Sequence, residues 1–304
     1  MKTQSVALSF IVFVFISYSL PTIVNAQGIR KWIDIPYAEL SEAQRLDIYI
    51  PDKENIEFPL ILYIHGGAFM SGDKSKKLNS KLEGLQRGYA LVSMNYRLSG
   101  ESKFPAQIHD VKAAIRWLRA NAKKYNINGS KIAVWGGSAG GYLAALAGTS
   151  GDIKELEDLE LGNPEQSSRV QAVVDWCGPI NFLQIDNQFI ESGKGEATEN
   201  SEDSPTSRLM GKKIADIPDK TKVANPETYI STDDPPFLIQ HGTDDSYVPF
   251  QQSRNFAAKL QSVLGKEKVT INLFEGAGHG GSSFDSKENL DLVYGFLKKH
   301  LKRE

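Results

Sequence analysis

The 304-residue chain is 40% hydrophobic and 24% charged, the balance of an ordinary globular protein, and its 35 basic and 37 acidic side chains leave a net charge of −2. Nothing in that near-neutral balance recommends nucleic acid or an anionic membrane surface as a partner, and neither is expected. With 1 cysteine, Cys177, and 5 histidines, the chain builds no disulfide framework and shows no zinc-type Cys/His spacing, so neither metal nor other cofactor is expected.

At the N-terminus Lys2 precedes an apolar run from Val6 to Leu20, then Pro21, and the small residues Val24-Asn25-Ala26 before Gln27. This pattern predicts a cleavable signal peptide over 1–26, cut after Ala26, and a secreted or periplasmic protein. The run falls short of the roughly 20 apolar residues of a spanning helix, and no cysteine follows the cut to carry a lipid, so no stable membrane anchor is expected. Residues 27–304 have the length of one large α/β domain.

Lys31–Ile35 and Arg45–Ile50 read as strands, and Phe58–Ile64 as a stronger one that runs into His65-Gly66-Gly67-Ala68-Phe69. Ala90–Asn95 is a fourth strand. Pro105 opens a helix through about Lys124, with Ile108, Val111, Ala114, Ile115 and Leu118 at helical spacing. Lys131–Trp135 is a buried strand that breaks on Gly136-Gly137 and resumes after Ser138 as the helix-compatible Ala139-Gly140-Gly141-Tyr142-Leu143. Val170–Trp176, Pro236–His241 and Val269–Phe274 bring the total to about eight strands, with helices at Gln251–Leu264 and Glu288–Leu301. Such alternation predicts a mostly parallel sheet with helices on both faces. Asn181–Asp234 interrupts it with a polar, irregular segment, placed to form a cap over a site at the strand ends.

Strand, sharp turn, serine and helix, with Gly136-x-Ser138-x-Gly140, form a nucleophile elbow. A serine needs a base to take its proton, and the base needs a third group to orient it. Of the histidines, His65 reads as structural, His109 lies in a helix, His300 in the tail, and His241 braces an acidic turn. His279, in the glycine-rich loop Gly276–Gly281 after the last strand, is the candidate base. The third group comes from Asp244-Asp245, between which spacing alone does not choose. Backbone N–H groups of Gly67 and Ala68, in the loop after the third strand, and of Ala139, after the serine, are candidates for the oxyanion hole. Lys74, Lys76 and Lys77 read as a solvated basic patch.

These stretches, with Asn95-Tyr96-Arg97-Leu98, Ile115-Arg116-Trp117-Leu118, Ser167–Trp176, Asn225-Pro226 and His241-Gly242 through Val248-Pro249, resemble the secreted bifunctional acetylxylan/feruloyl esterases (BD-FAE-like), relatives of the hormone-sensitive-lipase-type esterases. The resemblance covers nearly all of 27–304. It implies the α/β-hydrolase fold and a serine carboxylesterase acting through Ser138, Asp245 and His279 on acetyl or feruloyl esters of plant-type polysaccharide. The family pattern His-Gly-x-x-Asp-x-x-Val-Pro selects Asp245. Two departures stand out: Ala68 replaces a third glycine, and Ile180-Asn181 replaces a common Thr-Asp. A peptidase or amidase, a small-molecule ester or lactone hydrolase, and a non-catalytic binding protein on the same scaffold are the competing readings. No feature specifies an oligomeric state.

Overall fold

The computed structural model describes residues 23–24, 28–53 and 55–301. A two-residue edge strand, β1 (Ile23–Val24), is followed by β2 (Ile29–Pro36), β3 (Arg45–Pro51), β4 (Phe58–Ile64), β5 (Ala90–Met94), β6 (Ile127–Gly137), β7 (Ala172–Trp176), β8 (Phe237–Gly242) and β9 (Val269–Phe274). β2 to β9 are the strands expected from the apolar runs. β1 falls inside the segment expected to be a leader, and the rest of that segment lies outside the described residues. The helices are α1 (Asn79–Gln86), α2 (Ala106–Ala120), α3 (Ala139–Thr149), α4 (Ile185–Ser192), α5 (Pro205–Met210), α6 (Pro218–Val223), α7 (Gln251–Leu264), α8 (Ser282–Asp285) and α9 (Lys287–Leu301).

All strands join one sheet in the order β1-β2-β3-β5-β4-β6-β7-β8-β9. From β5 onward in that order the pairings are parallel, while β1, β2 and β3 add antiparallel. Successive side chains of a strand point to opposite faces. Leu60, Leu62 and Ile64 of β4 therefore pack into one core with α2, α3 and α7, while Ile61 and Tyr63 pack into the other with α1 and α9. Both faces are covered, which is why β4 reads as a continuous apolar run rather than an alternating one.

The chain leaves β4 towards β5 on one side and returns to β6 on the other, so the strand order reverses at β4. Open parallel sheets bind ligands at such a crevice, outside the carboxyl ends of the strands. Ile64 lies level with Gly136 across the β4–β6 pair. The loops that follow the two strands consequently emerge side by side, and they carry the glycine pair and the serine picked out in the sequence.

Two segments differ from expectation. α2 stops at Ala120, and a single tighter turn at Lys123–Tyr125 ends on Asn126 at φ 53°. The early stop lets the Tyr125 ring pack against Trp32 and Trp117 at 5.1 and 5.7 Å. The 181–234 segment is not irregular: it holds α4, α5 and α6, each of 6 to 8 residues. Side-chain caps start its turns: Ser204 Oγ accepts from Ser207 N–H ahead of Pro205, and Asn225 Oδ1 from Glu227 N–H ahead of Pro226. Its scattered apolar residues Phe189, Leu209 and Met210 are plugs into the α2–α3 core. Helices of this length give no repeat long enough to read from sequence.

Candidate active site

Ser138 sits on the turn between β6 and α3 at φ 56°, ψ −125°. A Cβ on Gly136 would stand 2.0 Å from the Gly140 carbonyl oxygen, and one on Gly140 2.0 Å from that of Ile64. No side chain fits at either place, which explains the glycine at both flanks of the serine. A positive φ in a non-glycine residue costs on the order of 1–3 kcal/mol and persists only where its surroundings enforce it. Here Ser138 N–H donates to Trp176 O at 2.7 Å, and Ser138 O accepts from Tyr142 N–H at 3.0 Å. The strain exposes the hydroxyl at the carboxyl edge of the sheet.

The loop after β4 is also strained: Gly67, Ala68 and Phe69 have φ of 125°, 55° and 63°. It turns back because Met70 and Ser71 N–H both donate to Gly67 O at 3.0 Å. The Phe69 ring, fully buried against Tyr142 and Phe182, anchors its far end. His65 braces the near end. Its ring stacks on Tyr96 at 4.5 Å, and its Nδ1 donates to Gly66 O at 2.8 Å, so that nitrogen carries the proton. Burial holds the His65 pKa down and keeps the ring neutral. Ala139 is the first residue of α3, so its N–H is one of the unsatisfied donors of a helix start.

The structure separates the two aspartates of the β8 turn. Asp244 is exposed and pairs with Lys194 Nζ at 2.7 Å. Asp245 is buried, and His279 Nδ1 donates to its Oδ2 at 2.6 Å. The same oxygen faces His241 Nε2 at 3.1 Å, and Oδ1 accepts from Tyr247 and Val248 N–H at 2.8 and 2.9 Å. His241 Nε2 also lies 2.9 Å from the Val248 carbonyl, which can only accept, so this nitrogen is the protonated one. Burial alone would raise the Asp245 pKa, but the hydrogen bonds from His241 and His279 outweigh it and hold the carboxyl well below the usual range.

Ser138, Gly67, Ala68, Ala139 and His279 all line one cavity of about 1630 Å³ at the carboxyl ends of β4, β6 and β8, with Asp245 buried behind His279. His109 and His300 are not among its lining residues. One wall belongs to the 181–234 segment, through Ile185, Phe189, Glu196, Thr198, Glu199 and Thr206.

A model of the family described as BD-FAE matches residues 46–260, well over half of the chain. The chain belongs to the BD-FAE family. It is 32% identical over 243 residues to a probable carboxylic ester hydrolase, LipM, of Mycobacterium tuberculosis, a match covering 79% of this chain and 54% of that protein. A solved structure described as a truncated carbohydrate esterase from gut microbiota superposes with a TM-score of 0.82 at 33% identity, over 92% of this chain and 99% of the other. A bifunctional GH43-CE protein of Bacteroides eggerthii gives 0.79 at 36% identity, over 88% and 38%. A thermophilic esterase from Thermogutta terrifontis gives 0.69 at 25%, over 90% and 92%. The chain spans about half the length of the curated relatives it matches. Sheet order and these neighbours identify the α/β-hydrolase fold.

In this BD-FAE member one sequence expectation needs correction. Lys74 is not part of a solvated patch: it is buried and pairs with Asp34 and Asp47 at 2.6 and 3.0 Å. Two acids at contact distance outweigh the cost of burying its charge, and its pKa is raised. Lys76 and Lys77 are exposed at the cavity edge.

Folding also assembles a trio that sequence spacing hides: donor atoms of Cys177, Asp245 and His279 lie within 4.8 Å of one another. The donor set does not fit a resident metal. Asp245 already receives four hydrogen bonds, His279 Nδ1 is engaged with it, and burial pushes the Cys177 thiol well up, away from the thiolate a metal needs.

Three cavity residues were not singled out from sequence. Tyr247 is 74% exposed, with its ring 5.5 Å from that of His279. Burial raises the pKa of Glu199, whose Oε2 accepts from Thr206 Oγ1 at 2.5 Å. Lys81 stands on the otherwise apolar stripe made by Leu78, just before α1, and by Leu82 and Leu85 within it, a legible signal, because a cation at a core position needs a reason.

Proposed function

We propose that this protein is a serine carboxylesterase that acts on acylated polysaccharide or its fragments. The observation that carries the reading is one cavity bringing together a serine on a strained elbow, a histidine bound at Nδ1 to a buried aspartate, and a strained glycine loop. Ser138 Oγ attacks the ester carbonyl while His279 Nε2 takes its proton. Asp245 keeps the Nδ1–H tautomer of His279 and stabilises the imidazolium. The N–H groups of Gly67, Ala68 and Ala139 receive the oxyanion, where one donor is worth roughly 3 kcal/mol. His279 returns the proton to the leaving alcohol, and water admitted by the same base hydrolyses the acyl-enzyme.

Two features support a carbohydrate alcohol. The cavity exceeds the roughly 300–1,000 Å³ of small-molecule sites. Its 181–234 wall offers Glu196, Thr198, Glu199 and Thr206 to hydroxyl groups. The structural neighbour described as a truncated carbohydrate esterase from gut microbiota points the same way. Acetyl and feruloyl are the acyl groups proposed, and export through a leader cut after Ala26 places the enzyme where such polymers are met. That cut would also remove β1 from the sheet edge.

The test is a fluorophosphonate label followed by peptide mapping, with a substrate panel of p-nitrophenyl acetate, longer acyl esters, methyl ferulate, acetylated xylan and a peptide amide. Label on Ser138 with release of acetate or ferulate is the expected result. Labelling elsewhere sinks the site, and turnover of the amide alone sinks the esterase reading. N-terminal sequencing of exported protein checks the cut.

A further inference from the structure

Lys81 is almost completely buried, and its ammonium lies over the rings of Trp176, Trp135 and Tyr63 at 4.3, 5.1 and 5.2 Å. An ammonium has three N–H groups to place. One meets Ser80 Oγ at 2.9 Å, and the nearest acid oxygen, on the exposed Asp285, is 4.0 Å away. Burial pushes the Lys81 pKa down to about 8, against the pull of Asp285 and with the push of Lys77. Beside it, the indole N–H of Trp176 and that of Trp135 are buried with no acceptor among the described residues.

Lys74, seven residues earlier, shows what this fold does with a lysine that serves structure alone: two carboxylates at 2.6 and 3.0 Å pair it. Lys81 has cage walls and a surplus of donors but no contact counter-ion. Buried donors without acceptors, and a buried charge whose nearest acid stands exposed 4.0 Å away, are both costly, and together they point to a missing group. Tyr63, Ser80, Lys81, Trp176 and Asp285 line the same cavity as Ser138, so that group can come from a ligand.

We propose that Lys81 forms the floor of a carboxylate-binding subsite, opening off the cavity of Ser138, that takes an acidic group on the substrate or on the acid it releases. Of the cage rings, Trp176 and Tyr63 line the cavity and pack against the body of the ligand, and the ammonium gives charge-assisted hydrogen bonds to the carboxylate. A neutral sugar or alcohol leaves the ammonium as it is and gains nothing. Two sources fit this chemistry: a uronic acid within the sugar part, or the carboxylate of an aromatic acid. The use of the subsite in turnover rests on the esterase reading, but occupancy does not, so the test measures binding without turnover.

The full-length protein is titrated by tryptophan fluorescence, with calorimetry as a second readout, using D-glucuronate against D-glucose and benzoate against benzyl alcohol. At least one carboxylate should bind about tenfold or more tightly than its neutral counterpart. A preference in the sugar pair assigns a uronate, and in the aromatic pair an aromatic acid. Lys81→Gln should bring the ratio close to one, while Lys81→Arg should keep it. Asp285→Asn, at an exposed position, removes the one competing acid near the ammonium and should tighten the carboxylate severalfold; it serves even where Lys81→Gln fails to fold. Equal binding of acid and neutral partners by the wild type, a ratio that survives Lys81→Gln, or no tightening in Asp285→Asn would each overturn the proposal. A protein that binds carboxylates yet hydrolyses no ester would overturn the esterase reading and leave the subsite standing.

Discussion

The cavity has two walls built by different means. The strand-end wall, carrying Ser138, Gly67, Ala68 and His279, is set by main-chain geometry: positive φ at Ser138, Ala68 and Phe69, and backbones too close for a Cβ at Gly136 and Gly140. The 181–234 wall is set by side chains. Tyr142 OH donates to Ala224 O at 2.6 Å, Gln252 Oε1 accepts from Ile180 and Asn181 N–H, and Lys194 pairs with Asp244 across the surface. Backbone constraints tolerate almost no substitution, whereas side-chain ties can be remade with different residues. The first wall therefore suits chemistry that demands fixed geometry, and the second suits recognition that varies between substrates.

Changes on the strand-end wall should strike turnover. The largest effect is expected from Ser138→Ala, with kcat for p-nitrophenyl acetate falling by at least about 10⁴-fold while the thermal melt stays cooperative. Near-normal turnover in that variant would break the comparison at its root. Asp245→Asn follows, with a loss on the order of 10³–10⁴ in kcat measured near pH 7, since an amide favours the wrong His279 tautomer.

The neighbouring buried carboxylate sharpens the contrast by pH. Asp175 Oδ1 accepts from Gly178 N–H at 2.9 Å, its Oδ2 has no partner among the described residues, and burial raises its pKa to about 6. A raised acid pKa means the folded state resists ionisation. The penalty is absent below the ordinary value of 3.8, grows as pH rises, and is complete above about 6. Asp175→Asn should thus leave stability unchanged near pH 3.5 and increase it by roughly 3 kcal/mol at pH 8, read by urea denaturation at both pH values. A constant difference across that range would show that ionisation of Asp175 is not what the fold resists.

The 181–234 wall should answer more mildly. Tyr142→Phe leaves the buried Ala224 carbonyl unsatisfied and should cost about 1–3 kcal/mol of stability, with KM for polymeric substrate raised more than kcat is lowered. A collapse of kcat without loss of stability would mean that Tyr142 serves the elbow rather than the wall. The smallest effect belongs to Asp244→Asn, which cuts only an exposed ion pair and should change kcat by less than about threefold. Were it as damaging as Asp245→Asn, the roles of the two aspartates would have to be exchanged.

Much of the strand-end wall was legible in sequence because its causes are local. The apolar runs of β4 and β6 fix two strands, and Gly136-x-Ser138-x-Gly140 reports a turn that leaves no room beside the serine. The 181–234 wall was not legible. Its helices are too short to show a period, and its apolar residues are isolated plugs whose partners lie in α2 and α3. Lys74 misled for a related reason: it sits in a basic run, yet Asp34 and Asp47, its counter-ions, come from strands far back in the chain.

What the sequence by itself determined is the alternation of elements, the elbow, the glycine loop and a short list of candidate acids and bases, all of which follow from steric and hydrophobic rules acting within a few residues. Tertiary structure alone decided which partners meet. It turned Asp245 rather than Asp244 towards His279, placed His241 on the same carboxylate, gave Lys74 two acids in close contact and left Lys81 caged with a single exposed acid 4.0 Å away. Those outcomes depend on the direction in which a side chain leaves its turn and on contacts between elements far apart in the chain. Neither is fixed until the sheet register is fixed.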